Sequence, residues 1–122
     1  MPQGDIVHIE LYSTDFEKFK KFYAPFNWRF TDWGEDYMLF MPPNEQGVGG
    51  GIVKTAEPKP NQNHWFYIYV DSIEEMMLRL MEIGWTIKSE KTFIADDVGS
   101  FIVISDFDGV TNCLLEGPKK SS

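Results

Sequence analysis

Cysteine is nearly absent from this chain. Cys113 stands alone, so no disulfide can form within it. That excludes the disulfide-stapled secreted scaffolds and favours a reducing compartment. Basic residues are scarce as well: 11 Lys and Arg stand against 19 Asp and Glu, a formal net charge of −8. Gripping nucleic-acid phosphates takes clustered Lys and Arg, so a nucleic-acid partner is not expected. No apolar run is long enough to cross a bilayer and no signal peptide opens the chain, so the expectation is a cytoplasmic protein without a membrane partner. What is abundant is core material. Hydrophobic residues make up 43% of the 122 and aromatics 16%, with 25% charged, which suits one folded domain spanning 1–122 and excludes disorder by composition.

The chain also repeats itself. Phe16, Phe19, Tyr23 and Phe26 return as Ile73, Met76, Leu80 and Ile83, a constant shift of 57. Asn27–Trp28 returns as Gly84–Trp85, and His8, Ile9 and Tyr12 fall on Trp65, Phe66 and Tyr69. Units this short do not each support an independent core, so they are expected to share one, with a ligand groove between them.

Both units read in the same order. Asp5 to Ser13 alternates with period two, Val7, Ile9 and Leu11 on one face and His8, Glu10 and Tyr12 on the other, which predicts a half-buried strand. Thr14 and Glu17 have capping-box spacing, and a helix follows with the stripe Phe16, Phe19, Tyr23, Phe26. Pro25 and Asn27 end it. Strands are predicted over Trp28–Trp33, Tyr37–Met41 and Gly47–Lys54, with Gly34-Glu35-Asp36 as a turn. In the second unit they fall at His64–Val70, Trp85–Glu90, Val98–Ser105 and Val110–Glu116, with a helix capped by Ser72 and closed by Gly84. Met1 to Gly4 reads as a leader and Gly117 to Ser122 as a frayed tail. The expected fold is α+β: two paired βαβββ modules, about 5–56 and 64–117 around a linker at 57–63, forming an eight-stranded half-open sheet around a cleft.

Several residues carry chemistry on that frame, each with a plainer reading beside it. His8 and Glu10 share a strand face and read as a general base, or as a carboxylate for a cationic group; the plainer reading is a solvated polar pair. Trp65, Tyr67 and Tyr69 read as an aromatic wall for a planar or cationic ligand, or as simple filling. Tyr12 and Cys113 join them as ligand contacts by position, although Cys113 also reads as a buried structural thiol. Gly49-Gly50-Gly51 lacks the helix and Lys-Ser/Thr of a phosphate loop, so close backbone approach is preferred. Met76, Met77 and Met81 read as core, and Asp96, Asp97, Asp106 and Asp108 as solvated turns.

The order of elements resembles the vicinal oxygen chelate superfamily of glyoxalase I, bleomycin-resistance proteins and extradiol dioxygenases. IVHIELYSTDFEKFKKFYAPFNWRF, GVGGGIV, YIYVDSIEEMMLRLMEIGWTI and DFDGVTNCLLE carry the resemblance, which spans roughly residues 5 to 117. It implies a small-molecule ligand and, together with exposed sheet edges, a homodimer. It also implies where metal-dependent members hold a divalent ion: one ligand on the first and one on the last strand of each unit. Those positions here carry His8, Gly50 or Gly51, Trp65 and Cys113, with His64 and Glu116 facing away. One imidazole does not hold a catalytic metal, so neither metal nor cofactor is expected. The functional expectation is a metal-independent lyase or isomerase acting next to a carbonyl through His8 or Glu10. The alternative is a non-catalytic binder of a cationic or aromatic compound, of bleomycin-resistance type. A third possibility is a metalloenzyme with relocated ligands His8, Glu10 and Cys113.

Overall fold

The structure, a computed structural model, describes residues 3–44, 46–60 and 65–118. His64, most of the expected linker's second half (61–63), the first two residues of the expected leader and the last four of the expected tail lie outside the described residues. The chain divides between residues 59 and 60 into two compact units. The fold is α+β. Among the described residues there are nine strands in two mixed sheets, four in the first unit and five in the second, where eight are expected from sequence. No helix is long and apolar enough to cross a membrane.

In the first unit β1 (Ile9–Ser13) is followed by α1 (Phe16–Tyr23), a 3-10 turn (Ala24–Phe26), β2 (Arg29–Asp32), β3 (Tyr37–Met41) and β4 (Gly50–Lys54). The sheet order is β1-β4-β3-β2, with β1 parallel to β4 and the other pairs antiparallel. β1 is shorter than the alternation predicts because its one neighbour, β4, starts at Gly50 opposite Ile9. Residues before it have no ladder to join, and Ile6 and Val7 are exposed rather than buried. The helix cap is Asp15, not Thr14: its carboxylate accepts from the Lys18 N–H at 3.0 Å. A carboxylate there both satisfies an orphan donor and suits the positive end of the helix. Asn27 closes the helical segment in the left-handed region at φ 59, as its amide side chain tolerates.

Aromatic stacking fills this unit's core. Phe19 and Tyr23, both fully buried, stack at 4.0 Å between ring centroids; Tyr23 meets Trp28 at 5.1 Å and Trp28 meets Phe40 at 4.6 Å. Phe22, outside the predicted stripe, is buried too. Rings of this size contribute roughly 1.5–3 kcal/mol each by burial alone.

The second unit runs β5 (Tyr67–Val70), α2 (Ile73–Ile83), β6 (Thr86–Ile87), β7 (Thr92–Ala95), β8 (Gly99–Ser105) and β9 (Thr111–Glu116). β5 is parallel to β9, β9 antiparallel to β8, and β6 and β7 both pair β8. The extra strand arises because the predicted Trp85–Glu90 strand breaks after Ile87. The Ser89 hydroxyl oxygen accepts from the Val103 N–H at 2.9 Å, where a neighbouring strand's carbonyl would otherwise sit. β7 then resumes the ladder from Thr92 opposite Phe101. Ser72 caps α2 as expected, accepting from the Glu75 N–H at 3.2 Å. The core is aliphatic here: Ile73, Leu80, Ile102, Ile104 and Leu114 are fully buried.

Two expectations are corrected. Met81 is 54% exposed, on the solvent side of α2 beside Leu78, rather than core. Asp106 is buried, not solvated. Its Oδ1 accepts from the Asp108 N–H at 2.9 Å and the Val110 N–H at 3.0 Å, so it builds the turn into β9 from inside.

Candidate functional site

Strand pairing sorts the side chains of each sheet into two faces. In the first unit Leu11, Ile52, Met38 and Phe40 occupy the buried face. Glu10, Tyr12, Gly51, Val53 and Tyr37 occupy the other. His8 stands one residue before β1 and joins this second face.

Three polar side chains meet there. The Tyr37 hydroxyl donates to Glu10 Oε2 at 2.9 Å and lies 3.1 Å from His8 Nε2. His8 Nε2 and Glu10 Oε2 are 3.7 Å apart, and both side chains are nearly half exposed, at 46% and 47%. At that exposure the direct ion pair is a weak stabiliser, so Tyr37 is what ties the two together. Partial burial first, and the Glu10 carboxylate second, push the Tyr37 phenol above its ordinary 10.0. Gly51 makes room for it: a Cβ at Gly51 would run into the Tyr37 hydroxyl and ring. Gly50 is needed equally, since a Cβ there would strike the Ile9 carbonyl. The glycine run therefore serves close approach.

The second unit places different chemistry at matching positions. Glu10 lies opposite Gly51 across the parallel β1–β4 pair, and Tyr67 lies opposite Cys113 across the parallel β5–β9 pair. Tyr37 pairs with Val53, two residues beyond Gly51; Phe101 pairs with Leu115, two beyond Cys113. Glu10, Gly51 and Tyr37 thus correspond to Tyr67, Cys113 and Phe101. The hydrogen bond from Tyr37 to Glu10 is replaced by an edge-on contact of Tyr67 with Phe101, centroids 5.9 Å apart. The Tyr67 phenol and the Cys113 thiol also influence one another, and burial pushes both groups above their ordinary values. Trp65, Tyr67 and Tyr69 are all substantially exposed, while Cys113 is fully buried.

Of the sequence candidates, the structure brings His8 and Glu10 together, and Tyr67 with Cys113. Tyr12 and Tyr69 lie one pleat further along β1 and β5, opposite Val53 and Leu115. Tyr37 is the residue that sequence reasoning misses. A constant shift of 57 maps it onto Ile94, whereas strand register matches it to Phe101, because β7 is inserted between.

The metal positions implied by the resemblance do not fit a metal. Gly51 offers no side chain and Tyr37 fills its place. Trp65 has no lone pair to give. Cys113 is fully buried, and burial pushes its thiol up. Glu116 is committed to the far face of β9, where Oε1 accepts from the Ile73 N–H at 2.9 Å and Oε2 from Lys91 Nζ at 3.0 Å. Among the described residues no three His, Cys, Asp or Glu side chains are grouped to hold an ion.

Known proteins resemble this chain in sequence or in fold. A "Glyoxylase-like domain-containing protein" of Didymella fabae is 27% identical over 124 residues, covering 96% of this chain and 97% of that one. Among solved structures, the fosfomycin resistance protein FosX of Listeria monocytogenes, complexed with Mn(II) and 1S,2S-dihydroxypropylphosphonic acid, matches with a TM-score of 0.74 at 20% identity. The match covers 93% of this chain and 90% of FosX. A glyoxalase-related enzyme from Fulvimarina pelagi matches with a TM-score of 0.70 at 16% identity, covering 93% and 88%. At such identities the structural likeness establishes the fold. The family is established by sequence: residues 5–114 match its description, and the chain belongs to the Glyoxalase/Bleomycin resistance protein/Dioxygenase superfamily.

Proposed function

We propose that this protein is a metal-independent, glyoxalase-like enzyme, a lyase or isomerase that moves a proton next to the carbonyl of a small molecule. The observation that carries the reading is the joined set of His8, Tyr37 and Glu10 on the first sheet, where the His8 and Glu10 side chains are nearly half exposed. An imidazole and a carboxylate within reach of one another supply the acid–base pair such a reaction needs. Tyr12, Trp65, Tyr67 and Tyr69 are the proposed ligand contacts, with Cys113 fully buried and paired across the strands with Tyr67. The protein is read as a cytoplasmic homodimer.

A second reading has its own support. Trp65, Tyr67 and Tyr69 present exposed aromatic surface, and the net charge is −8, which suits a non-catalytic binder of a cationic, aromatic compound in the manner of bleomycin-resistance proteins. FosX, a resistance protein of the same fold, was seen with Mn(II); the residues here do not fit that ion, so its chemistry is not carried over.

A thermal-shift screen of small hydroxycarbonyl and cationic aromatic compounds, followed by a turnover assay on every hit, separates the readings. Turnover that drops at least tenfold in both His8→Ala and Glu10→Gln supports the enzyme. A hit that stays unaltered after long incubation assigns that compound to the binder reading. Normal binding and turnover in both variants would remove the two residues from either mechanism.

A further inference from the structure

His8 and Glu10 are equal candidates for the base as long as they are considered separately. Tyr37 breaks the tie by counting protons. An ionised carboxylate only accepts hydrogen bonds, and a phenol carries one proton. At 2.9 Å that proton is given to Glu10 Oε2. The Tyr37 oxygen then has lone pairs alone to offer the third member, so the 3.1 Å contact with His8 Nε2 requires the hydrogen to be on Nε2. We propose that Tyr37 is a positioning residue that holds neutral His8 in its Nε2–H form, leaving Nδ1 as the proton acceptor of the site and Glu10 as its counter-charge. The inference rests on the enzyme reading for its use, and on hydrogen-bond geometry alone for its truth.

The consequence for a proton transfer is simple. A proton leaving the carbon next to a carbonyl arrives at Nδ1, and its electron pair remains on the ligand. The Nε2–H and the phenolic O–H stay where they are. The new imidazolium charge then faces Glu10 Oε2 at 3.7 Å, with Tyr37 bridging the two. Among the described residues of the second unit the matching positions do not repeat this, since Phe101 has no hydroxyl and Tyr67 replaces the carboxylate.

The chain has just two histidines, so long-range nitrogen–proton correlation NMR resolves the tautomer of each. His8→Ala assigns the signals. The expected result is a predominant Nε2–H form of neutral His8, with Nδ1 carrying the lone pair. Tyr37→Phe should raise the ratio of Nδ1–H to Nε2–H about fivefold, the factor an ordinary net hydrogen bond carries. Gly51→Ala keeps all three groups yet drives the hydroxyl away, and should do the same. A predominant Nδ1–H form in the unaltered protein overturns the proposal; so does a ratio that neither substitution moves. Where turnover exists, Tyr37→Phe should lower kcat and leave KM near its original value. A missing turnover with the tautomer bias intact defeats the enzyme reading and leaves the role of Tyr37 standing, so the two failures are distinct.

Discussion

Cys113 shows how a residue's neighbours decide its chemistry. Its place on the last strand is one that the resemblance reserves for a metal ligand, and a lone thiol invites a nucleophilic reading. Full burial pushes its thiol up, and the neighbouring Tyr67 phenol offsets this only in part. A protonated, enclosed thiol reacts slowly. Iodoacetamide should therefore label native Cys113 at pH 8 at least tenfold more slowly than the urea-unfolded chain; equal rates would contradict the buried state. His8 and Glu10 are legible as a pair from alternation alone, because period two puts them on one face. Tyr37 is not. Its strand reads as Tyr37, Leu39, Met41 on one side, an unremarkable apolar set, and its bond to Glu10 spans two strands that are not neighbours.

At the level of elements, the N-terminus of α2 is held by a residue from the other end of its unit. Glu116 accepts from the Ile73 N–H and from Lys91, which also reaches Glu74 at 3.0 Å. The Ile73 N–H first, and Lys91 second, hold the Glu116 carboxyl below its ordinary 4.5. A carboxyl lowered on folding stabilises above its unfolded pKa, and loses that contribution as pH falls through its folded one. Glu116→Gln should therefore cost about 1 kcal/mol at pH 7, the range of a lost helix cap, with the gap closing below pH 4.5. Urea midpoints of both proteins measured from pH 7 to 3 check this; a gap that persists at pH 3 contradicts it. The helices were readable at this scale, because stripes and caps are local. The β6–β7 break was not: it depends on Ser89 taking a ladder position on β8, a partner more than ten residues away in sequence.

For the molecule as a whole, duplication and charge set the expectations that remain to be measured. Protein purified without an affinity tag should sediment at twice the chain mass. The same sample should carry well under one equivalent of Zn, Ni, Mn or Fe by elemental analysis. One equivalent of any of these would reinstate a metal site built from relocated ligands. A single species at the chain mass would remove the homodimer.

The sequence by itself determined the repeated order of a strand, a helix and further strands, short of the extra strand in the second unit, together with the helix stripes and the family, because each is written in short-range periodicity and in runs of text that survive divergence. It also determined that one face of the first strand is polar in the first half and aromatic in the second. Only tertiary structure decided what those faces do. Register between β1, β4 and β3 placed Tyr37 over Gly51 and against Glu10 and His8. The matching register in the second unit put Phe101 and Cys113 around Tyr67 instead. Pairing between distant strands obeys no fixed spacing in the chain, so a hydrogen-bonded set assembled by it leaves no local mark.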